Sequence, residues 1–98
     1  MATIRWTAEA ERWLQDIYSY IASDNPDAAG RVVTEIYEKA QVLCQYPLSG
    51  SKYRSEPEGD IRILLFGHYR IAYLYNEENT VDILGVFHGA LDIDKYLP

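Results

Sequence analysis

The chain has 98 residues, 48% of them apolar, with 9 Lys or Arg against 15 Asp or Glu and a formal net charge of −6. That length predicts one domain spanning residues 1–98, and it excludes a two-domain enzyme built around an internal cofactor cleft. The acidic balance argues against direct nucleic-acid binding, since that affinity depends on clustered Lys and Arg.

Residues 3–6 (TIRW) read as a short N-terminal strand that stops at Thr7, a good helix cap because its hydroxyl can accept from an orphaned N–H. Glu9 and Glu11 then favour the positive end of a helix. Ala10, Leu14, Ile17, Tyr18 and Ile21 recur at helical spacing, so one amphipathic helix runs to about Ser23. Asn25-Pro26 caps and restarts the chain. Ala29, Val32, Val33, Ile36, Ala40 and Leu43 form the matching stripe of a second helix, ended by Tyr46-Pro47, and the short connection makes the pair an antiparallel hairpin. Residues 46–60, with two Pro and two Gly and no periodicity, read as a long loop. Residues 61–66, 69–75 and 80–87 are strand-like runs joined by hairpin-length connections, which predicts a three-stranded antiparallel meander. Both faces of these strands carry apolar groups, so periodicity alone leaves open which face the helices cover. The fold class expected is α+β, with the helix hairpin packed on a small, mainly antiparallel sheet.

Cys44 is the only cysteine, so neither an intrachain disulfide nor an all-cysteine zinc site is available, and a reducing cytoplasm suits the chain. No apolar run reaches the length of a signal peptide or a membrane helix, so a soluble cytoplasmic protein is expected. His68 follows Gly67 in a tight turn and reads as solvated. His88, at the end of the last strand, stands where sites tend to be built. His88 and Asp92 would give a metal two ligands without an evident third, so no metal or cofactor is expected. Glu56 and Glu58 flank Pro57 and read as a solvated loop in preference to a general base. Arg62 and Arg70 each interrupt a strand, where a charge is expensive. The expectation is an ion pair with Asp60 or Asp82 on a neighbouring strand, and the alternative is a direct role at a target. Only residues 51–75 are slightly basic, with four bases against three acids, so an anionic target would have to dock there.

Thr7-Ala8-Glu9-Ala10-Glu11 after the opening strand, Tyr20-Ile21, Asn25-Pro26 with Ala28-Ala29, Leu43 through Pro47 with Gly50, Tyr69-Arg70-Ile71-Ala72-Tyr73, and Val86-Phe87-His88-Gly89-Ala90 with Asp92 form an ordered series. Together they resemble the RelE/ParE superfamily of bacterial toxins from type II toxin–antitoxin (plasmid stabilisation) modules, and particularly its ParE branch. The resemblance implies a toxin held inactive by a cognate antitoxin, which would be a DNA-binding protein whose tail folds on the toxin. ParE-like members act on DNA gyrase; RelE-like members cleave messenger RNA on the ribosome and look basic around their site. Here Arg70 matches a central-strand Arg and Tyr96 could stand for a C-terminal Tyr, but Gly89-Ala90-Leu91-Asp92 between them has no base. The main reading therefore has no catalytic residue, with Arg62, Arg70, His88 and Tyr96 as target-binding candidates. The alternatives are a ribosome-dependent endoribonuclease using Arg62, Arg70 and Tyr96, or an antitoxin-binding domain that has lost toxicity. Trp13, Tyr20 and Tyr37 are the antitoxin-binding candidates, because Trp13 and Tyr20 lie off the main stripe of the first helix and aromatics of this kind often anchor interfaces; the alternative is that they complete the core. Antitoxin tails of this kind are often acidic, so that contact is expected to be mainly apolar and aromatic, with Arg62 and Arg70 as local exceptions.

Overall fold

The computed structural model describes residues 1–89 and 91–97; Ala90, in the 86–90 run, and Pro98 lie outside the described residues. The order is β1 (Thr3–Trp6), α1 (Ala8–Ala22), α2 (Pro26–Gln41), a 3-10 turn (Val42–Cys44), β2 (Ser51–Glu56), β3 (Gly59–Phe66), β4 (Tyr69–Tyr75), β5 (Thr80–His88) and a second 3-10 turn (Ile93–Lys95). The five strands form one sheet in the order β1-β5-β4-β3-β2. β1 runs parallel to β5 and every other pair is antiparallel, which gives the expected α+β architecture. Among the described residues no helix is long and apolar enough to cross a membrane.

Both helix starts are built as their residues dictate. Thr7 Oγ1 accepts from the N–H of Ala10 at 3.1 Å and donates to the carbonyl of Ile83 at 2.7 Å, so one hydroxyl caps α1 and ties it to β5. Asn25 Oδ1 accepts from the N–H of Ala28 at 3.1 Å, with Pro26 at the first helical position. Ala10, Ala29, Ile36 and Ala40 are buried, whereas Tyr18, expected in the α1 stripe, is exposed.

The long loop expected over 46–60 is in part a strand. β2 pairs with β3 from Ser51↔Ile63 to Glu56↔Gly59, so the meander has four strands, not three. β2 is an edge strand without a buried residue, and it therefore carries no apolar alternation for a sequence to show. A second irregularity sits in β5. Ala72 pairs with Gly85 but Tyr73 pairs with Ile83, so Leu84 is an extra residue. The bulge puts Ile83 and Val86 on the same face and turns Phe87 to the other, which breaks the period of two.

Both faces of the sheet are covered. The hairpin packs Ile36, Ala40 and Leu43 over Ile71, Tyr73, Val81, Ile83 and Val86. On the opposite face Ile93 and Leu97 close over Ile61, Ile63, Ala72 and Phe87.

The ion pairs expected for the strand arginines are not formed. Asp82 pairs with Arg5, and Asp60 lies 3.8 Å from Lys52. Arg62 donates instead to the carbonyls of Gly50 at 2.8 Å and Leu48 at 3.2 Å, and Arg70 to those of Gly89 at 3.3 Å and Leu91 at 2.6 Å. Each guanidinium reaches a segment folded over it and donates to backbone oxygens there, with the buried Arg70 Nε left without a partner among the described residues.

Tyr73 works with Arg62 from the adjacent position on β4. Its hydroxyl accepts from the N–H of Gly50 at 3.0 Å and donates to the carbonyl of Pro47 at 2.7 Å, so the 46–50 segment is drawn onto the sheet. Gly50 is required there, because a Cβ would stand 2.7 Å from the carbonyl oxygen of Ile63. Tyr73→Phe is expected to cost about 1–3 kcal/mol at neutral pH, since it strands the buried Gly50 N–H and the partly buried Pro47 carbonyl. Burial raises the pKa of Tyr73 above its ordinary 10.0. Between the unfolded and folded values the native state holds the extra proton. The stabilisation is therefore complete below about pH 10 and is lost as pH rises through the folded value. Urea midpoints followed from neutral to alkaline pH should fall less steeply in Tyr73→Phe than in the wild type.

Candidate functional site

The second half of α1 rises past the ends of β4 and β5 and leaves a groove of about 530 Å³ between helix and sheet. Trp13, Ile17, Tyr20 and Ile21 form its helical wall, and Tyr69, Val86 and His88 its sheet wall. The lining is mainly apolar and aromatic, with the Asp16 carboxylate and the His88 imidazole among its polar groups. Register explains the opening: β1 pairs with β5 only as far as Ile83, so the later part of β5 is flanked by α1 in place of a strand.

Tyr20 is 83% exposed at the groove's rim. Trp13 is half-buried: its ring meets Phe87 edge-on at 4.7 Å and Tyr96 edge-on at 5.1 Å, and Phe87 stacks on Tyr96 at 5.8 Å. The Trp13 indole thus fastens the C-terminal segment to the far face of the sheet while lining the groove. Tyr37 stands apart, 49% exposed on α2 and stacked on Trp6 at 5.5 Å. Of the three aromatics proposed for an antitoxin, Trp13 and Tyr20 share one concave surface and Tyr37 does not.

The target-binding candidates do not converge. Arg62 and Tyr73 are cross-strand partners on the helix-covered face. Arg70 is the partner of Leu65 and faces the opposite side, where it holds the chain at Gly89 and Leu91. Its Nε is buried with no partner among the described residues. Tyr96 is half-exposed in the aromatic cluster on Arg70's side of the sheet, and His88 is exposed beside Tyr69 at 5.9 Å and His68 at 6.2 Å. Glu56 is paired with Arg54 at 2.6 Å. Among the described residues no group of three or more His, Cys, Asp or Glu could hold a metal ion.

Two features stand outside the sequence expectations. Tyr53 donates to Asp94, a hydrogen bond that joins β2 to the C-terminal turn and raises the Tyr53 pKa above its ordinary value. Tyr46 and Leu48, on the segment held by Arg62 and Tyr73, are both largely exposed. The Tyr46-Pro47-Leu48 run inside the expected loop was the only available signal for the second.

The chain matches the family described as the ParE toxin of type II toxin–antitoxin systems, parDE, over residues 4–93. A Sinorhizobium fredii protein named as a toxin, Y4kP, is 40% identical to it over 86 residues, which is 88% of this chain and 86% of that protein. Among solved structures, the fold is similar to a chain of the chromosomal ParDE toxin–antitoxin system of P. aeruginosa, with a TM-score of 0.72 and 25% identity over 90% of this chain and 96% of that one. It is also similar to a chain of the RelBE2 toxin–antitoxin complex of Mycobacterium tuberculosis, with a TM-score of 0.67 and 31% identity over 89% of this chain and 96% of that one. The helix hairpin, the mixed sheet and these matches together place this chain in the ParE toxin family of type II toxin–antitoxin systems, within the RelE/ParE superfamily.

Proposed function

We propose that this toxin arrests growth by binding DNA gyrase, without a catalytic residue of its own, and that a cognate antitoxin neutralises it by laying an amphipathic segment in the groove beside Tyr20. The observation that carries the binding reading is the separation of Arg62 from Arg70. They face opposite sides of the sheet, and each is engaged with carbonyls of its own chain. Phosphodiester cleavage calls for cations gathered around one developing charge, and a binding toxin needs only a surface. The acidic balance and the ParE match favour a protein target in the same direction.

The deciding measurement is DNA supercoiling by purified gyrase with increasing toxin. Inhibition relieved by the neighbouring gene's product is the expected result, with messages intact after induction. Untouched supercoiling at large excess, or cleaved messages, would overturn the gyrase reading. For the antitoxin, Tyr20→Asp should leave folding unchanged and raise Kd by about tenfold or more, because an exposed aromatic anchor is replaced by a charge. The wild-type complex should show a shallow salt dependence, as an apolar contact requires.

A further inference from the structure

At the end of the sheet away from Tyr20, the turns after β2 and β4 and the 46–50 segment enclose a hollow of about 900 Å³. A smaller apolar pocket, lined by Tyr46, Pro47, Leu48 and Tyr75, adjoins it and shares Leu48 and Tyr75 with it. Tyr46 is 64% and Leu48 62% exposed. These side chains are not on a slack loop. Arg62 holds the carbonyls of Leu48 and Gly50, Tyr73 holds Pro47 and Gly50, and the Tyr46 N–H donates to Val42 at 3.0 Å. Arg62 and the Tyr73 hydroxyl are therefore used to present two apolar side chains to solvent in a fixed position. Large exposed apolar groups with a polar rim mark interaction surfaces, and a fixed backbone lowers the ordering cost of using them.

The rim states the partner's charge. Asp60 and Glu56 are offset by Lys52 and Arg54, but Glu58, Glu77 and Glu78 line the hollow, are exposed and form no ion pair among the described residues, Glu78 alone lying within the field of Arg5. We infer that this end of the sheet is a second docking surface, which takes a basic protein segment carrying a large apolar side chain flanked by Lys or Arg. The apolar side chain sits against Tyr46, Leu48 and Tyr75, and the cations face Glu58, Glu77 and Glu78. An acidic tail is repelled by the same rim, so this surface and the groove beside Tyr20 take different segments.

The test uses the full-length, isotope-labelled toxin and two blocked peptides of about a dozen residues, one with Lys and Arg flanking a Leu-Trp pair and one with those cations replaced by Ser. The basic peptide should perturb amides at 46–50, 57–59 and 75–79 and bind more weakly as salt rises, and the Ser peptide should bind less. Leu48→Ser should raise Kd about tenfold with folding unchanged, as loss of one apolar anchor predicts. Glu77→Gln/Glu78→Gln should weaken binding several-fold and flatten its salt dependence, whereas Asp24→Asn/Asp27→Asn on the distant helix connection should do neither. Perturbations spread over the acids of both helices, equal losses in the helix control, or an unchanged Kd in Leu48→Ser would overturn the inference. So would concentration-dependent self-association that Leu48→Ser abolishes, because the occupant would then be a second copy of the chain.

Discussion

Phe87→Ala should lower the unfolding free energy by about 3–5 kcal/mol, the usual cost of emptying a core aromatic site, which is a large share of the ~5–15 kcal/mol that such a domain has. Phe87 is fully buried and joins three things at once: the far-face core under Ile93, the edge of Trp13 and the face of Tyr96. The site cannot collapse readily, because Gly85 already comes so close that a Cβ there would stand 2.4 Å from the Phe87 ring. Urea unfolding reads the loss, and near-ultraviolet dichroism should show the Trp13 environment relaxing. Phe87→Leu, which keeps most of the volume, should cost less than about 1.5 kcal/mol. A loss below about 1 kcal/mol in the alanine variant would mean that the aromatic cluster does not secure the C-terminal segment.

Arg70→Ala should cost about 1.5–3 kcal/mol, because two hydrogen bonds from a charged donor to the carbonyls of Gly89 and Leu91 disappear together. The effect should be local. Amide exchange at 91–97 should rise further than exchange in α2, and Arg70→Lys should recover only part of it, since Nη2 alone makes both bonds and the lysine ammonium, one bond nearer the backbone, falls short of that position. Toxicity should fall in proportion to that loosening. If toxicity disappears while exchange at 91–97 is unchanged, Arg70 touches the target directly instead of positioning the segment that carries Tyr96.

The helices were legible because their signals are local. Thr7 and Asn25 cap within three residues of themselves, and the stripe through Ile36 and Ala40 repeats every turn. The strands of the meander were legible for the same reason, and the ordered series from Thr7 to Asp92 carried the family. β2 gives no such signal because Ser51–Glu56 has no buried residue; it is defined by its pairing with β3 across the two-residue turn Pro57-Glu58. The groove was half legible. Trp13 and Tyr20 were recognisable as aromatics off the main stripe, but their sheet wall of Tyr69, Val86 and His88 depends on where β1 stops along β5 and on the bulge at Leu84.

The amino-acid sequence by itself determined the two helices, the three strands of the expected meander, the acidic balance and the absence of an intrachain disulfide, properties that reside in composition or in short-range spacing, and its ordered motifs carried the resemblance to the toxin family. Only the tertiary structure decided what Arg62 and Arg70 do, and it reversed the expectation of ion pairs with Asp60 and Asp82. The physical reason lies in the acceptors. A carboxylate announces itself in a sequence, but every residue carries a backbone carbonyl, and which of them comes to face a guanidinium depends on the chain that folds across it.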